Sequence, residues 1–150
     1  MKKIYIGADS AGYELKEIVK EHLTEGGYTV VDLGTDSTAS CHYPIFAAAV
    51  ASAVQGDNDS LGILVCGTGI GMSMAANKFR GIRAAVCGDT FSARMTRMHN
   101  DANILCIGAR VIGQGLARDI VDLFVTTDFE GGRHATRVEM ISRLEAGEEI

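Results

Sequence analysis

Short apolar segments alternate with longer amphipathic segments along the whole chain. This alternation predicts a parallel β-sheet with helical crossovers, the α/β class of fold. The predicted strands cover residues 4–8, 28–32, 62–66, 83–87 and 103–107. Helices are predicted near residues 11–23, 44–54, 71–78, 90–99, 114–125 and 133–145. No repeat or low-complexity linker interrupts the pattern, so we expect a single domain over residues 1–150.

The segment after Pro44 is apolar on nearly all sides of its predicted helix. One face of such a helix must meet the sheet. The small residues on the other face would allow a partner subunit to approach closely. The pattern therefore predicts a helix buried on two faces, one of them against a second subunit.

The charge, hydropathy and cysteine content of the chain argue against several classes of partner. The 14 Lys and Arg residues are outnumbered by 19 Asp and Glu residues, and the net charge of −5 argues against binding to nucleic acid or to an anionic membrane. No apolar stretch approaches the roughly 18 residues of a membrane span. The four cysteines form no CxxC pair, which argues against a zinc-ligand cluster and favours buried free thiols. We expect a cytoplasmic protein.

Candidate site residues follow the predicted strands. In an open parallel sheet, ligands bind beyond the carboxyl ends of the strands, near the point where strand order reverses. Asp9 and Ser10 follow the first strand, Cys66 ends the third, and Arg110 follows the fifth. If strands one and three are neighbours, Asp9 and Cys66 share one crevice.

A glycine-rich loop, residues 67–71, lies between the third strand and a helix. Its glycines leave backbone N–H groups free at a helix N-terminus, where an anion is stabilised. Three known motifs fail on one residue or more: a dinucleotide fingerprint lacks its third glycine, a P-loop lacks Gly-Lys-Ser/Thr, and a C-x5-R phosphatase loop has Met72 where arginine is required. The glycines could also serve only a tight turn and close helix packing.

Cys66 precedes this loop and faces its amides and the positive end of the helix, an environment that favours the thiolate. It could act as a nucleophile or as a base. Thr68 can donate a hydrogen bond to the thiolate or to a substrate oxygen. The loop amides would stabilise an oxyanion that forms during reaction.

Two arginines, Arg133 and Arg137, lie on one face of the last predicted helix. The same stripe continues through three apolar residues that we expect to face the protein, Met140, Ile141 and Leu144. Two cations turned inward favour a phosphate, which Arg110 could help to hold with its planar donors. Pairing with Glu130 or Asp128 is the alternative. His99 ends a helix, where the helix dipole favours its protonated form or where it is an ordinary cap.

Eight motifs together resemble the ribose-5-phosphate isomerase B family, which includes allose-6-phosphate and galactose-6-phosphate isomerases. They are Gly7-Ala8-Asp9, Asp32-Leu33-Gly34-Thr35, Tyr43-Pro44, the segment 66–71, Ala75-Ala76-Asn77-Lys78, Gly81-Ile82-Arg83-Ala84, the segment 99–103 and Gly131-Gly132-Arg133-His134. The resemblance implies a five-stranded α/β/α sandwich of strand order 2-1-3-5-4. It implies catalysis without metal or cofactor, by a homodimer or homotetramer whose subunits share active sites.

The resemblance also implies roles for individual residues in an aldose–ketose exchange through an enediolate. Cys66 would move a proton between C2 and C1 with the help of Thr68, and Asp9 would move protons among the hydroxyl oxygens. His99 would open the sugar ring. The expected substrate contacts are Ser10, Gly67, Gly69, Ile70, Gly71, Asn100, Arg110, Arg133, His134 and Arg137.

Ser10 departs from the ribose-phosphate pattern, in which many members have histidine after the aspartate. Ribose 5-phosphate is the first expectation, and allose 6-phosphate, galactose 6-phosphate and tetrose 4-phosphates are alternatives. A serine leaves space and removes a donor, which predicts that ribose 5-phosphate is used but that a hexose or tetrose phosphate is preferred. A noncatalytic sugar-phosphate-binding subunit is the alternative from another class, and the presence of both Cys66 and His99 argues against it.

Overall fold

The computed structural model describes all 150 residues and contains one five-stranded parallel sheet. The strands are β1 (Lys3–Ala8), β2 (Val30–Asp32), β3 (Ser60–Cys66), β4 (Ala84–Val86) and β5 (Ile104–Gly108). Their order is β2-β1-β3-β5-β4, as the resemblance implied. Each predicted strand is present, and the two at the sheet edges, β2 and β4, are the shortest.

Six helices connect and follow the strands. They are α1 (Tyr13–Glu25), α2 (Tyr43–Gln55), α3 (Ile70–Ala76), α4 (Thr90–Asn100), α5 (Gln114–Thr126) and α6 (Arg133–Glu145). Side chains of α1, α4 and α5 pack on one face of the sheet, and those of α2 and α3 pack on the other. The predicted three-layer α/β/α sandwich is confirmed.

Alternation along the central strands assigns their side chains to the two cores. In β3, Ile63 and Val65 face α1 and α5, whereas Leu64 and Cys66 face α2 and α3. All seven residues of β3 are buried, as expected for a parallel strand covered on both faces. This register directs the Cys66 side chain toward the start of α3, where the glycine loop ends.

Helix α2 buries one side against the sheet through Ala47, Val50, Ala51 and Val54. Its opposite side is not covered, and Ile45 is exposed. The prediction that one face of this helix packs on the sheet is therefore confirmed. The predicted contact of the other face with a partner subunit stays a prediction.

Helix α6 departs from the sequence expectation. Its apolar stripe was expected to face the protein, but Met140, Ile141 and Leu144 are 36%, 48% and 55% exposed. That expectation is wrong for a single chain because α6 packs beside α4 outside the sandwich and buries only His134.

None of the six helices has the length and apolar character of a membrane span.

Candidate active site

The carboxyl ends of β1, β3 and β5 bring one group of predicted residues together. The backbone N–H of Asp9 donates to the carbonyl of Val65 at 3.2 Å, beside Cys66. The N–H of Ala109 donates to the carbonyl of Cys66 at 2.8 Å, and that of Arg110 to Gly67 at 3.0 Å. Asp9, Cys66 and Arg110 are thus held on three adjacent strand ends, as their positions in the sequence indicated.

Buried Lys16 fixes the segment beside Asp9. Its ammonium donates to both oxygens of Asp32, at 2.7 and 2.8 Å, and to the carbonyl of Thr35 at 2.6 Å. Burial alone would raise the pKa of Asp32, but the hydrogen bonds from Lys16 and Lys20 outweigh it and lower that pKa. Thr35 in turn donates its N–H to the carbonyl of Ala8 at 2.8 Å, so this ion pair helps to hold the end of β1.

The glycine loop encloses the thiol of Cys66, which is only 6% exposed. The N–H of Gly69 donates to the Cys66 Sγ at 3.1 Å. Gly69 has φ +82°, a left-handed conformation that favours glycine, and a Cβ built on it would lie 3.1 Å from the backbone of Ile107. The loop therefore directs an amide at the sulfur, an arrangement that stabilises negative charge there.

Polar groups on both sides of the loop frame its outer surface. The Thr68 hydroxyl accepts a hydrogen bond from the N–H of Ile70 at 3.2 Å and is exposed. The guanidinium of Arg110 lies across Gly67, so that a Cβ on Gly67 would be 3.5 Å from the Arg110 Nη1. The loop therefore presents a hydroxyl, backbone amides and a cation next to the thiol, which suits a small anionic substrate.

Tyr43 is a site residue that the sequence reasoning did not select, although it belongs to one of the motifs above. Its ring packs on the first turn of α3, so that a Cβ on Gly71 would lie 2.6 Å from the Tyr43 ring and 3.0 Å from its hydroxyl. The available signal was Pro44, which lies in the first turn of α2 directly after Tyr43.

A second cluster joins the end of α4 to the start of α6. The rings of His99 and His134 stack with centroids 4.1 Å apart and planes 10° apart. The Glu130 Oε2 lies 3.3 Å from the His134 Nε2 and 3.7 Å from the His99 Nε2. Burial, followed by the charges of His99 and Arg133, lowers the pKa of His134.

Arg133 and Arg137 project from the same end of α6. Both are exposed, and neither forms an ion pair with Glu130, Asp128 or any other carboxylate of the chain. The alternative interpretation of these arginines as partners of nearby acids is therefore wrong. The guanidinium groups of both arginines are free to bind an anion. The side chain of Asn100, at the end of α4, is also exposed and free to do so.

Asp101 fixes the position of His99 and Asn100. It ends α4 in a left-handed conformation, with φ +47°, and its carboxylate accepts hydrogen bonds from Arg83 and Arg97, each at 3.2 Å. Arg97 is itself buried. The end of α4 is thus held by two guanidinium groups, which makes it a rigid support for the second cluster.

The two clusters lie at opposite edges of the sheet. Helix α4 begins beyond the carboxyl end of β4, where Asp89 caps it, and returns to the amino edge before β5 begins. Cys66 lies at the carboxyl edge, so within one chain the fold separates it from His99. The predicted phosphate site combines Arg110 with Arg133 and Arg137, and it is not formed within one chain. Each crossover helix returns the chain from the carboxyl edge of the sheet to the amino edge. Arg110 therefore lies at one edge, and the two arginines of α6 lie at the other.

Comparisons with known proteins agree with this architecture. The family model for ribose/galactose isomerases matches residues 4–141. The chain is 50% identical to ribose-5-phosphate isomerase B of Escherichia coli, over 97% of each chain. It is 45% identical to D-erythrulose-4-phosphate isomerase of Pectobacterium atrosepticum, over 97% of this chain and 96% of the relative.

Solved structures show the same likeness. Ribose-5-phosphate isomerase B of Clostridium thermocellum superposes with a TM-score of 0.95 at 52% identity, over 97% of this chain and 98% of that one. The Mycoplasma genitalium enzyme, solved with bound ribulose 5-phosphate, gives a TM-score of 0.92 at 42% identity over 96% of both chains. The protein described here is a member of the ribose/galactose isomerase family.

Proposed function

We propose that the chain interconverts ribose 5-phosphate and ribulose 5-phosphate through an enediolate. Membership of the family makes it an aldose–ketose isomerase, and two relatives that act on ribose 5-phosphate are about half identical to it. The observation that carries the proposal is the Cys66 thiol, held next to β1 and facing the Gly69 amide at 3.1 Å.

The proposed reaction moves one proton between two carbons. Cys66 as thiolate removes the proton from C2 of the open-chain aldose, and the electron pair moves toward the carbonyl oxygen at C1. The loop amides, from Gly67 to Gly71, hold the oxyanion that results. Thr68 assists Cys66, and Asp9 transfers the remaining proton between the O2 and O1 oxygens. Return of the proton from Cys66 to C1 yields the ketose and regenerates the thiolate.

We propose that the second cluster acts from a partner subunit, in a homodimer or in a homotetramer of such dimers. In one chain Cys66 and His99 lie at opposite edges of the sheet, and a symmetric interface would bring two complementary halves together twice. Exposed apolar side chains on α2 and α6 provide surface for such an interface. His99 of one subunit would open the ring, while Arg133, Arg137 and His134 would hold the phosphate beside Cys66 of the other.

The cellular location and the independence from cofactors are part of the same proposal. All four cysteines are free, which fits the reducing cytoplasm. The proposed chemistry needs only side chains and backbone amides, so activity should persist with metals chelated. The experiment that tests the function is a screen of C4, C5 and C6 aldose and ketose phosphates with chelator present. Conversion of none of them would favour the noncatalytic binding subunit.

Arg137→Ala is expected to raise the KM for ribose 5-phosphate by about tenfold to a hundredfold, because it removes a charge-assisted contact with phosphate. Inorganic phosphate should compete with substrate in the wild-type enzyme and more weakly in the variant. Arg143→Ala is the matched control, since Arg143 lies on the same helix but pairs with Glu148 at 3.2 Å. An unchanged KM in the Arg137 variant would remove Arg137 from the phosphate site.

A second candidate function is isomerisation of a different sugar phosphate, and Ser10 is the observation that favours it. Ser10 adjoins Asp9 at the carboxyl end of β1 and is partly exposed. Its hydroxyl is shorter than an imidazole and carries no charge near neutral pH. We therefore propose activity on ribose 5-phosphate together with a preferred substrate among the hexose or tetrose phosphates.

Ser10→His is expected to shift the ratio of kcat/KM values toward ribose 5-phosphate by about tenfold relative to the best hexose or tetrose phosphate. The measurement is kcat/KM for both substrates in both enzymes. Ser73→His is a control on the neighbouring helix α3. If the wild-type enzyme already prefers ribose 5-phosphate and the variant leaves the ratio alone, Ser10 does not set specificity.

A further inference from the structure

Three metal-ligand groups meet where α4, the 127–132 loop and α6 converge. One ligand atom each from His99, Glu130 and His134 lies within 4.8 Å of the other two. The Glu130 Oε2 is 3.3 Å from the His134 Nε2 and 3.7 Å from the His99 Nε2. In a tetrahedral zinc site with bonds of about 2.0–2.1 Å, neighbouring ligand atoms are roughly 3.3 Å apart. Two of the three separations are thus close to those of a zinc site.

The His134 Nε2 supplies an independent observation. It is buried and has no hydrogen-bond partner, although the Glu130 Oε2 lies 3.3 Å away. A buried polar atom without a partner is uncommon in folded proteins.

We propose that His99, Glu130 and His134 bind one Zn²⁺ ion per chain, or another transition-metal ion with the same ligand preference. Two imidazoles and a carboxylate are a ligand set that zinc accepts, and they leave a fourth position open to water. The ion would satisfy the unpaired nitrogen of His134. It plays no part in the isomerisation proposed above.

Two features of the cluster must adjust when the ion binds. The nearly parallel rings have to open so that both Nε2 lone pairs point to one position, and His99, which is partly exposed, has room to turn. Arg133 and Arg137 raise the local positive potential. Both side chains are exposed, so they can turn toward solvent, where water and salt screen their charge.

The ion would inhibit the enzyme, a consequence that rests on the proposed function. His99 is the proposed ring-opening residue and His134 adjoins the proposed phosphate contacts. An ion on these nitrogens removes the acid–base group and closes part of the substrate site. Zn²⁺ should therefore compete with substrate, and chelation should restore full activity.

Isothermal titration of the metal-free protein with Zn²⁺ tests the site, with the Co²⁺ absorption spectrum as a report on the ligands. We expect one ion per chain and a spectrum without a thiolate charge-transfer band. Glu130→Gln should weaken binding by at least about tenfold. Asp122→Asn is the matched control, because Asp122 also lies against a histidine, His22 at 2.7 Å, but belongs to no group of three ligands.

Absence of binding in the wild-type protein would overturn the proposal, as would equal affinities in wild type and Glu130→Gln. Circular dichroism establishes that the variant is folded, which is expected because Glu130 is exposed. The proposed function can fail separately: if Zn²⁺ binds through Glu130 and isomerisation continues undiminished, the metal site stands and the role of His99 does not.

Discussion

Cys66→Ala is expected to lower kcat for sugar-phosphate isomerisation by about 10²- to 10⁴-fold. The thiolate acts on carbon-bound hydrogen and contributes little to ground-state binding, so KM and phosphate affinity should change little. The measurements are turnover of ribose 5-phosphate and exchange of the C2 hydrogen with solvent deuterium. Both should fall together, because both require the same proton abstraction.

Cys106→Ala is the matched control for this variant. Cys106 lies on the neighbouring strand β5 and faces the same core as Cys66. Burial raises the pKa of the Cys106 thiol far above its ordinary value, so it supplies no thiolate at neutral pH. The control should lose some stability and keep its turnover. Near wild-type turnover in Cys66→Ala would show that another group is the base.

His99→Ala is expected to reduce turnover of ribose 5-phosphate by about 10²-fold or more, since ring opening needs an acid–base group near the ring oxygen. Erythrose 4-phosphate cannot close a ring through its phosphorylated oxygen, so it omits that step. Its turnover should fall much less. The measurement is the ratio of kcat/KM values for the cyclic and the open-chain substrate.

His22→Ala controls for the loss of a histidine from a helix. His22 lies on α1 and pairs with Asp122 of α5, away from both clusters. The control should leave the ratio of the two substrates unchanged. An equal loss on both substrates in His99→Ala would assign His99 to binding or to structure rather than to ring opening.

The five strands and all six helices could be predicted from the sequence because hydrophobic periodicity reports burial directly. The prediction of α6 was correct in its bounds, from residue 133 to residue 145, but wrong in the direction of its apolar stripe. Periodicity indicates that Ile141 and Leu144 require cover. It does not say whether the same chain or another one supplies that cover.

Part of the candidate site could likewise be predicted from the sequence, and part of it could not. Asp9, Cys66 and the glycine loop could be predicted because each lies at the carboxyl end of a parallel strand, and all such ends meet at one edge of the sheet. The distance of His99 from Cys66 could not be predicted from motifs, since it depends on the direction in which α4 returns. Glu130 and Tyr43 were missed as site residues because their importance comes from contacts with His134 and Gly71, which only the folded chain reveals.

In the proposed assembly, one active site combines the Cys66 half of one subunit with the His99 half of another. Mixing the inactive variants Cys66→Ala and His99→Ala, under conditions in which subunits exchange, tests it most directly. Random exchange makes half of the dimers mixed, and each mixed dimer has one site with both residues intact, so activity should rise to about a quarter of the wild-type value. A mixture that exchanges subunits fully and stays as inactive as its components would contradict the account.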